Sequence, residues 1–261
     1  MQWHVEQLPE ELRKNIGICT WQQVTVGESG AYTFRLTSAD GNRYLKIVPQ
    51  NLQLGLEREV AVLQWLEGKL PVPQVLCYCH DSGYQYLLMT EIQGTPSYDS
   101  VFAADLPQLV RLLAKGLRMI HSIDIKDCPF DQSLSVKIKT ASYRTAQGLV
   151  REDDFDAVRQ GRKAQDLLEE LLALRPTAED LVFTHGDYCL PNVLIKDGDI
   201  SGFIDWSRGG IADRYQDLAL AARSLTRNFD AKFVPLLFAE YGLTQIDYAK
   251  IEYCQLLDEF F

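Results

Sequence analysis

Residues 185–192 read His-Gly-Asp-Tyr-Cys-Leu-Pro-Asn, and this stretch decides which kind of fold the chain forms. It places Asp187 and Asn192 five residues apart, between two short apolar runs at 181–183 and 193–195. Short apolar runs that contain β-branched and aromatic residues predict buried strands. The sequence therefore predicts a rigid loop that presents a carboxylate and an amide from between two strands.

A second carboxylate follows at the end of the next predicted strand. The turn at Asp197-Gly198 leads into an extended stretch over 200–204, and Asp205 comes directly after it. An Asp, an Asn five residues later and a further Asp are the residues with which kinases orient an acceptor hydroxyl and hold MgATP. Carboxylate and amide oxygens suit Mg²⁺ because it is a hard cation. This order of residues predicts phosphoryl transfer.

The first ninety residues carry the other parts of such a site. Residues 43–48 are predicted to form a strand, on which Lys46 is placed to reach the phosphates of a nucleotide. Apolar spacing predicts a helix over 56–66, and Glu59 on this helix supplies a carboxylate to pair with that lysine. The loop at 27–30 can cover phosphates with backbone N–H groups. The sequence contains no Gly-x4-Gly-Lys-Ser/Thr stretch, which excludes the P-loop class.

The secondary-structure pattern changes once along the chain. Strand patterns dominate up to about residue 92, and helical periodicity dominates afterwards, with a short return to strands at 181–204. This predicts an α+β protein. We expect a small nucleotide-binding lobe over 1–92, a larger catalytic and substrate-binding lobe over 93–261, and an active site in the cleft between them.

The composition limits the classes of partner. The 261 residues include 26 Lys and Arg against 36 Asp and Glu, which gives a formal net charge of −10. This balance argues against nucleic acid, whose phosphates need a basic face, and leans toward a cationic partner. No apolar run approaches the roughly 18 residues of a membrane span, and the start of the chain lacks a signal-peptide layout. Six irregularly spaced cysteines indicate mostly buried free thiols of a cytoplasmic protein.

These motifs together resemble those of the aminoglycoside phosphotransferase family, and most closely the 3′-phosphotransferases that inactivate kanamycin-like and neomycin-like antibiotics. The stretches that carry the resemblance are Trp65–Pro73, His121–Asp124, His185–Asn192, Lys196–Gly198, Gly202–Asp205, Ala212–Asp217 and Leu257–Phe261. The resemblance implies a bilobal, protein-kinase-like fold. It further implies ATP-dependent or GTP-dependent phosphorylation of an aminoglycoside hydroxyl, expected at the 3′ position, which confers antibiotic resistance.

The resemblance also implies a role for each matching site residue. Asp187 corresponds to the catalytic base, and Asn192 and Asp205 correspond to the Mg²⁺ ligands. The nucleotide-binding positions are Ser29 over the phosphates, Tyr44 against the base, Lys46 on the phosphates, Glu59 orienting Lys46, and the backbone of Thr90 to Ile92 as the hinge. The positions that line the aminoglycoside pocket are Arg208, Asp258, Glu259 and the terminal carboxylate of Phe261.

Several of these residues also have a structural interpretation. For His185 we favour a hydrogen bond to loop backbone over direct catalysis. Asp213 and Asp217 lie near a predicted helix start, where carboxylates offset unpaired N–H groups. Asp258 and Glu259, considered alone, are compatible with a frayed tail. The functional interpretation depends on the whole set occurring in the expected order along the chain.

The sequence departs from the family pattern directly after Asp205. The run there is Trp206-Ser207-Arg208, whereas family members usually carry a Gly before the Arg, and Ile-Asp-Trp occurs in kinases of other small molecules. A kinase of another small alcohol, such as a macrolide, a sugar or an amino alcohol, therefore stays open. So does a catalytically dead kinase-like binding module. A protein kinase is disfavoured because no Asp-Phe-Gly occurs. The sequence does not decide between ATP and GTP, or between a monomer and a dimer.

Overall fold

The computed structural model describes residues 8–24, 31–50 and 55–261. The chain divides into two compact units, the first made of residues 1–94 and 201–207, and the second made of residues 95–200 and 208–261. Within the described ranges, no helix combines the length and the apolarity needed to cross a membrane. Ser29 and the rest of the loop at 27–30 lie outside the described residues.

A five-stranded antiparallel sheet is the framework of the first unit. Its strands are β1 (Thr20–Val24), β2 (Tyr32–Ser38), β3 (Gly41–Pro49), β4 (Val75–His80) and β5 (Tyr84–Thr90), in the order β1-β2-β3-β5-β4. On the central strand β3, Leu45 and Ile47 are fully buried in the core. Because side chains alternate along a strand, Lys46 between them projects from the opposite face.

Two helices cover this sheet. The short helix α1 (Glu10–Ile16) packs Leu12 and Ile16 into the same core cluster as Leu45. The helix α2 (Leu56–Leu66) buries the apolar residues that its sequence spacing predicts, and it also buries Glu59. A charged side chain inside an apolar face requires a partner, because burying an unpaired charge is costly.

Helices dominate the second unit. They are α3 (Leu106–His121), α4 (Leu134–Ala146), α5 (Ala164–Ala173), α6 (Tyr215–Asn228), α7 (Val234–Tyr241) and α8 (Tyr248–Asp258). The central one is α6, whose residues 215–222 are all buried and which packs against α8, while α3 packs against α7. A helix that is buried on all sides forms the core of a domain.

Short strands bracket the loop at 185–192. β7 (Leu181–Thr184) pairs antiparallel with β10 (Gly210–Asp213), and β8 (Val193–Lys196) pairs with β6 (Thr95–Pro96). β8 continues into β9 (Asp199–Phe203) through a turn in which Asp197 and Gly198 have φ angles of 53° and 79°. Two positive φ angles are typical of tight hairpin turns. The predicted strands on both sides of the loop are therefore present, and the loop spans the end of β7 and the start of β8.

Most of the observed elements follow the apolar patterns of the sequence. Those patterns do not predict the helices α1 and α4 or the strands β6 and β10. None of the six cysteines forms a disulfide, as predicted, but only Cys77 and Cys254 are fully buried, so the expectation of mostly buried thiols is not met.

Candidate active site

Lys46 is held between two carboxylates of the first unit. Its Nζ lies 2.7 Å from Oε1 of Glu59 and 3.2 Å from Oδ1 of Asp205, and only 14% of its side chain is exposed. Burial alone would lower the pKa of the ammonium group, but Asp205 and Glu59 raise it above its ordinary value. The lysine therefore stays protonated. The structure brings Lys46 and Glu59 together as their predicted pairing requires.

Asp205 occupies a left-handed backbone position. Its φ is 66°, a conformation that non-glycine residues rarely adopt and that the surrounding structure must stabilise. The following residue supplies that stabilisation: Trp206 is fully buried, and its indole Nε1 donates to the carbonyl of Phe203 at 3.1 Å. Nε of Arg58 on α2 donates to the carbonyl of Ser207 at 3.1 Å. The departure from the family pattern at Trp206 and Ser207 thus serves the packing of this segment in the first unit.

The predicted base-binding residues lie on β3 and at the end of β5. Tyr44 is half-buried opposite Met89, and burial together with the charge of Glu91 raises the pKa of its phenol. Thr90 exchanges hydrogen bonds with Gln74, since its N–H donates to the Gln74 carbonyl at 3.0 Å and its Oγ1 accepts the Gln74 N–H at 2.8 Å. The strand end is therefore fixed before the chain reaches the second unit.

Glu91 is a residue that sequence reasoning missed. Its carboxylate accepts Nε of Arg35 at 2.6 Å and Nδ2 of Asn42 at 2.7 Å. These bonds tie the predicted hinge to β2 and β3. Ile92 packs against Gly202, where an added Cβ would lie 2.7 Å from Cγ2 of Ile92. The side chains of Glu91 and Ile92 therefore hold the shape of the predicted hinge, and base recognition by its backbone groups stays a prediction.

The loop of the second unit brings Asp187 and Asn192 together. Nδ2 of Asn192 donates to the backbone carbonyl of Asp187 at 3.0 Å and to its Oδ2 at 3.2 Å. Gly186 has a φ of 80°, and a Cβ there would lie 2.2 Å from the carbonyl oxygen of Arg208, so only glycine fits. His185 has the structural role that we favour, because its Nδ1 accepts the N–H of Asp187 at 3.3 Å. The predicted rigid loop is present.

Asp217 on α6 binds the backbone of this loop through both of its carboxylate oxygens. Its Oδ2 accepts the N–H of His185 at 2.7 Å, its Oδ1 accepts the N–H of Gly186 at 2.8 Å, and Nε2 of His121 lies 3.1 Å from Oδ2. Burial alone would raise the pKa of this fully buried carboxyl, but the hydrogen bond and charge of His121, with the His185 interactions, hold it below its ordinary value. The sequence analysis gave Asp217 a role at its own helix start, whereas its N–H partners lie in the loop at 185–192.

The predicted substrate-binding carboxylates are paired with arginines. Nη1 of Arg208 lies 2.8 Å from Oδ1 of Asp258, and Arg223 bonds the other oxygen of the same carboxylate. Nη1 of Arg159 lies 3.1 Å from Oε1 of Glu259. Arg208 and Arg223 hold the pKa of Asp258 below its ordinary value, against the effect of its burial. The interpretation of Asp258 and Glu259 as a frayed tail is wrong, because Asp258 ends α8 and both side chains are engaged.

Lys137 on α4 is a second residue that sequence reasoning missed. It is 4% exposed, and among the described residues no carboxylate lies within ion-pair distance of its ammonium group. Its Nζ lies 5.4 Å from the centre of the Phe261 ring, and Cζ of Arg208 lies 5.8 Å from the same ring. Burial, together with the charge of Arg208, lowers the pKa of Lys137 to about 8. Two cations therefore lie near the ring of Phe261.

Comparison with known proteins decides the family. A family model described as the phosphotransferase enzyme family matches residues 20–254. An aminoglycoside 3′-phosphotransferase of Niallia circulans is 38% identical over 259 residues, which cover 97% of each chain. One from Enterococcus faecalis is 34% identical and covers 98% of each chain. The chain belongs to the aminoglycoside phosphotransferase family.

Solved structures of this family agree with the fold. The crystal structure of an aminoglycoside 3′-phosphotransferase of type VIII matches this phosphotransferase with a TM-score of 0.88 at 34% identity, over 96% of each chain. The aminoglycoside phosphotransferase APH(3'')-Id of Streptomyces rimosus, solved with ADP and streptomycin, matches with a TM-score of 0.83 at 29% identity, again over 96% of each chain. The predicted α+β, protein-kinase-like fold is confirmed.

Asn192 in the second unit and Asp205 in the first each offer an oxygen donor of the kind that suits a hard cation. The amide nitrogen of Asn192 is engaged with Asp187, so its amide oxygen is the remaining donor for a metal, and Asp205 offers a carboxylate. In the described parts of the chain, no group of three or more His, Cys, Asp or Glu residues could hold a metal ion. Mg²⁺ in kinases is typically bound by one or two protein ligands plus substrate phosphates, which agrees with this sparse donor set.

Proposed function

We propose that this phosphotransferase transfers the γ-phosphoryl group of ATP to a hydroxyl of an aminoglycoside antibiotic, at the 3′ position, and thereby confers resistance in the cytoplasm of its host. Two near-full-length relatives carry the name aminoglycoside 3′-phosphotransferase. A related enzyme has been solved with ADP and streptomycin, which supports a nucleotide and an aminoglycoside as the two substrates.

The observation that carries the proposal is the loop at 185–192. Asp187 and Asn192 face each other across the loop, and Asp217 bonds the two N–H groups directly before Asp187. Preorganised groups of this kind lower the barrier because little reorganisation is needed at the moment of reaction. A loop fixed in this way can hold one carboxylate steady against an acceptor hydroxyl.

The reaction then follows from the chemistry of these groups. The acceptor oxygen forms a bond to the γ-phosphorus, the bond to the bridging oxygen of the ADP leaving group breaks, and the hydroxyl proton passes to Asp187. Asn192 and Asp205 would hold Mg²⁺, which supplies charge neutralisation on the phosphate oxygens when bound. Lys46, kept protonated by Glu59 and Asp205, adds a further positive charge for the phosphates. Tyr44 and the backbone of Thr90 and Ile92 would hold the base.

The acceptor side of the proposal depends on charge. Aminoglycosides carry several ammonium groups, and carboxylates bind them by charge-assisted hydrogen bonds. The side chains of Asp258 and Glu259 are 14% and 4% exposed and are held in place by Arg208 and Arg159. We propose that these arginines fix the carboxylates before the drug arrives, so that the drug meets oriented acceptors, together with the terminal carboxylate of Phe261.

The competing function of another small-alcohol kinase loses its main support. That hypothesis depends on Trp206, and this side chain is fully buried and bonded to Phe203 within the first unit. A catalytically dead module is also disfavoured, because Lys46 keeps ion pairs with both Glu59 and Asp205, which supports a lysine held ready for phosphate.

One experiment tests the function directly. Release of ADP from ATP and Mg²⁺ is measured with an aminoglycoside that has a 3′-hydroxyl and with its 3′-deoxy counterpart. We expect turnover with the first and little with the second. Equal turnover with both would reject the 3′ position, and turnover only with a macrolide, a sugar or an amino alcohol would reject the aminoglycoside. No acceptor-dependent turnover at all would favour the binding module.

A further inference from the structure

The thiol of Cys189 lies against the proposed catalytic base. Its Sγ is 3.0 Å from Oδ1 of Asp187, which is within hydrogen-bonding distance for a thiol donor. The other carboxylate oxygen, Oδ2, accepts Nδ2 of Asn192 at 3.2 Å. Each oxygen of the Asp187 carboxylate therefore meets one donor from its own loop.

The position of this sulfur is set by the backbone around it. The N–H of Cys189 donates to the carbonyl of Asp187 at 2.8 Å, and the Cys189 carbonyl accepts the N–H of Asn192 at 3.0 Å. The next N–H, that of Leu190, donates to Oγ of Ser224 on α6 at 3.0 Å. Cys189 thus belongs to the same bonded turn as the base and the amide, and this turn fixes the backbone from which the thiol reaches Asp187.

The thiol is suited to donate. Burial and the adjacent Asp187 carboxylate raise the pKa of the Cys189 thiol well above its ordinary value, so the sulfur keeps its proton. A protonated thiol is a neutral donor. It can hold a carboxylate in one rotation without adding a positive charge, which would weaken the carboxylate as a base.

We propose that Cys189 is a positioning residue for phosphoryl transfer: its S–H donates to Oδ1 of Asp187 and fixes the rotation of the carboxylate that takes the acceptor proton. The inference depends on the proposed function, because it requires Asp187 to be the base. Small displacements of a reacting group lower the reaction rate strongly, because the activation barrier depends on its distance and angle to the substrate.

Three variants separate the donor from the volume of the side chain. Cys189→Ala removes both, Cys189→Val keeps bulk without a donor, and Cys189→Ser restores a donor. We expect kcat to fall by roughly three- to tenfold in the Ala and Val variants, as for loss of one hydrogen bond from a weak thiol donor. The KM values for ATP and for the aminoglycoside should change by less than about twofold, and Cys189→Ser should recover most of the wild-type kcat.

A matched control is Cys254→Ala, which truncates a fully buried cysteine of the same unit, on α8. It should lower the melting temperature and leave kcat near the wild-type value. If Cys189→Ala keeps the wild-type kcat, or if Cys189→Ser is as slow as Cys189→Ala, the inference is overturned while the proposed function stands. If the wild-type enzyme phosphorylates no aminoglycoside, both fall together.

Discussion

Oδ2 of Asp217 accepts the backbone N–H of His185 at 2.7 Å, and this bond links the most buried helix of the second unit to the catalytic loop. Asp217→Asn replaces one accepting oxygen with an N–H₂ group that faces donors. Because a buried donor would lose its partner, we expect the free energy of unfolding to fall by about 2–4 kcal/mol. Chemical denaturation measures this loss. Asp230→Asn is the control, since that residue caps an exposed turn and asparagine also caps.

The same contact predicts an acid dependence. The interactions of Asp217 with His121 and His185 hold its pKa in the folded protein below the unfolded value. Its stabilising effect is therefore complete above about pH 4, the unfolded value, and is lost as the pH falls through the lower folded value. The difference in unfolding free energy between wild type and Asp217→Asn should shrink in that acid range. A constant difference down to pH 2 would contradict the assignment.

Lys46→Ala should act mainly on the nucleotide. Loss of a charge-assisted bond to phosphate is worth about 1.5–3 kcal/mol, which corresponds to a roughly ten- to hundredfold rise in the KM for ATP. Glu59→Gln should have a smaller effect, because Asp205 still holds the ammonium group at 3.2 Å. The control is Lys115→Ala, whose partner Asp199 lies at an exposed turn. A change confined to the KM for the aminoglycoside would show that Lys46 serves the acceptor instead.

Asp187→Ala should abolish turnover while nucleotide binding persists. General-base catalysis contributes about 10²–10⁴-fold, so we expect kcat to fall within that range or below detection. Titration calorimetry with ADP should give a dissociation constant close to that of the wild type. Near-normal turnover in this variant would remove Asp187 from the base role.

Long-range electrostatics give a prediction for salt. The chain has a formal net charge of −10, and we propose that a polycation binds at its C-terminal carboxylates. The screening length falls from about 30 Å at 0.01 M salt to about 8 Å at 0.15 M, so the KM for the aminoglycoside should rise over this interval. Drugs with fewer ammonium groups should show a shallower rise. A KM that does not respond to salt would count against an acidic pocket.

The parts of the site whose residues lie on one loop or on consecutive elements of the chain could be predicted from sequence. Asp187 and Asn192 lie on one short loop, and Lys46 and Glu59 lie on consecutive elements, so local spacing was enough to propose each pair. The strand flanks of the loop also follow from short apolar runs. These pairs are brought together in the structure, whereas their roles toward nucleotide and metal stay predictions.

The residues that sequence reasoning missed depend on contacts between distant parts of the chain. Asp217 bonds the N–H groups of His185 and Gly186, which lie 32 and 31 residues before it in the chain. The sequence hints at this contact only by placing a carboxylate in the stretch 215–222, which is otherwise largely apolar. The helix α4 was missed because Lys137 occupies one of its inward positions and interrupts the apolar pattern. The burial of Trp206 depends on neighbours along the folded segment, which spacing alone does not show.

The buried ammonium group of Lys137 gives a prediction for the alkaline range. Burial and Arg208 lower its pKa to about 8, against an ordinary value of about 10.5, with Asp258, Asp217 and Cys254 acting in the other direction. Between these values the unfolded chain binds more protons than the folded one, so the free energy of unfolding should rise with pH from about 8 to 10.5.

Lys137→Met removes the buried charge and should stabilise the protein at pH 7 by about 1–3 kcal/mol, an advantage that fades above pH 8. Lys139→Met on the exposed face of the same helix is the control and should change little at any pH. Thermal unfolding of the three proteins at pH 7, 8, 9 and 10 measures this, and a Lys137→Met variant that is less stable than wild type at pH 7 would mean that the ammonium group is paired in solution.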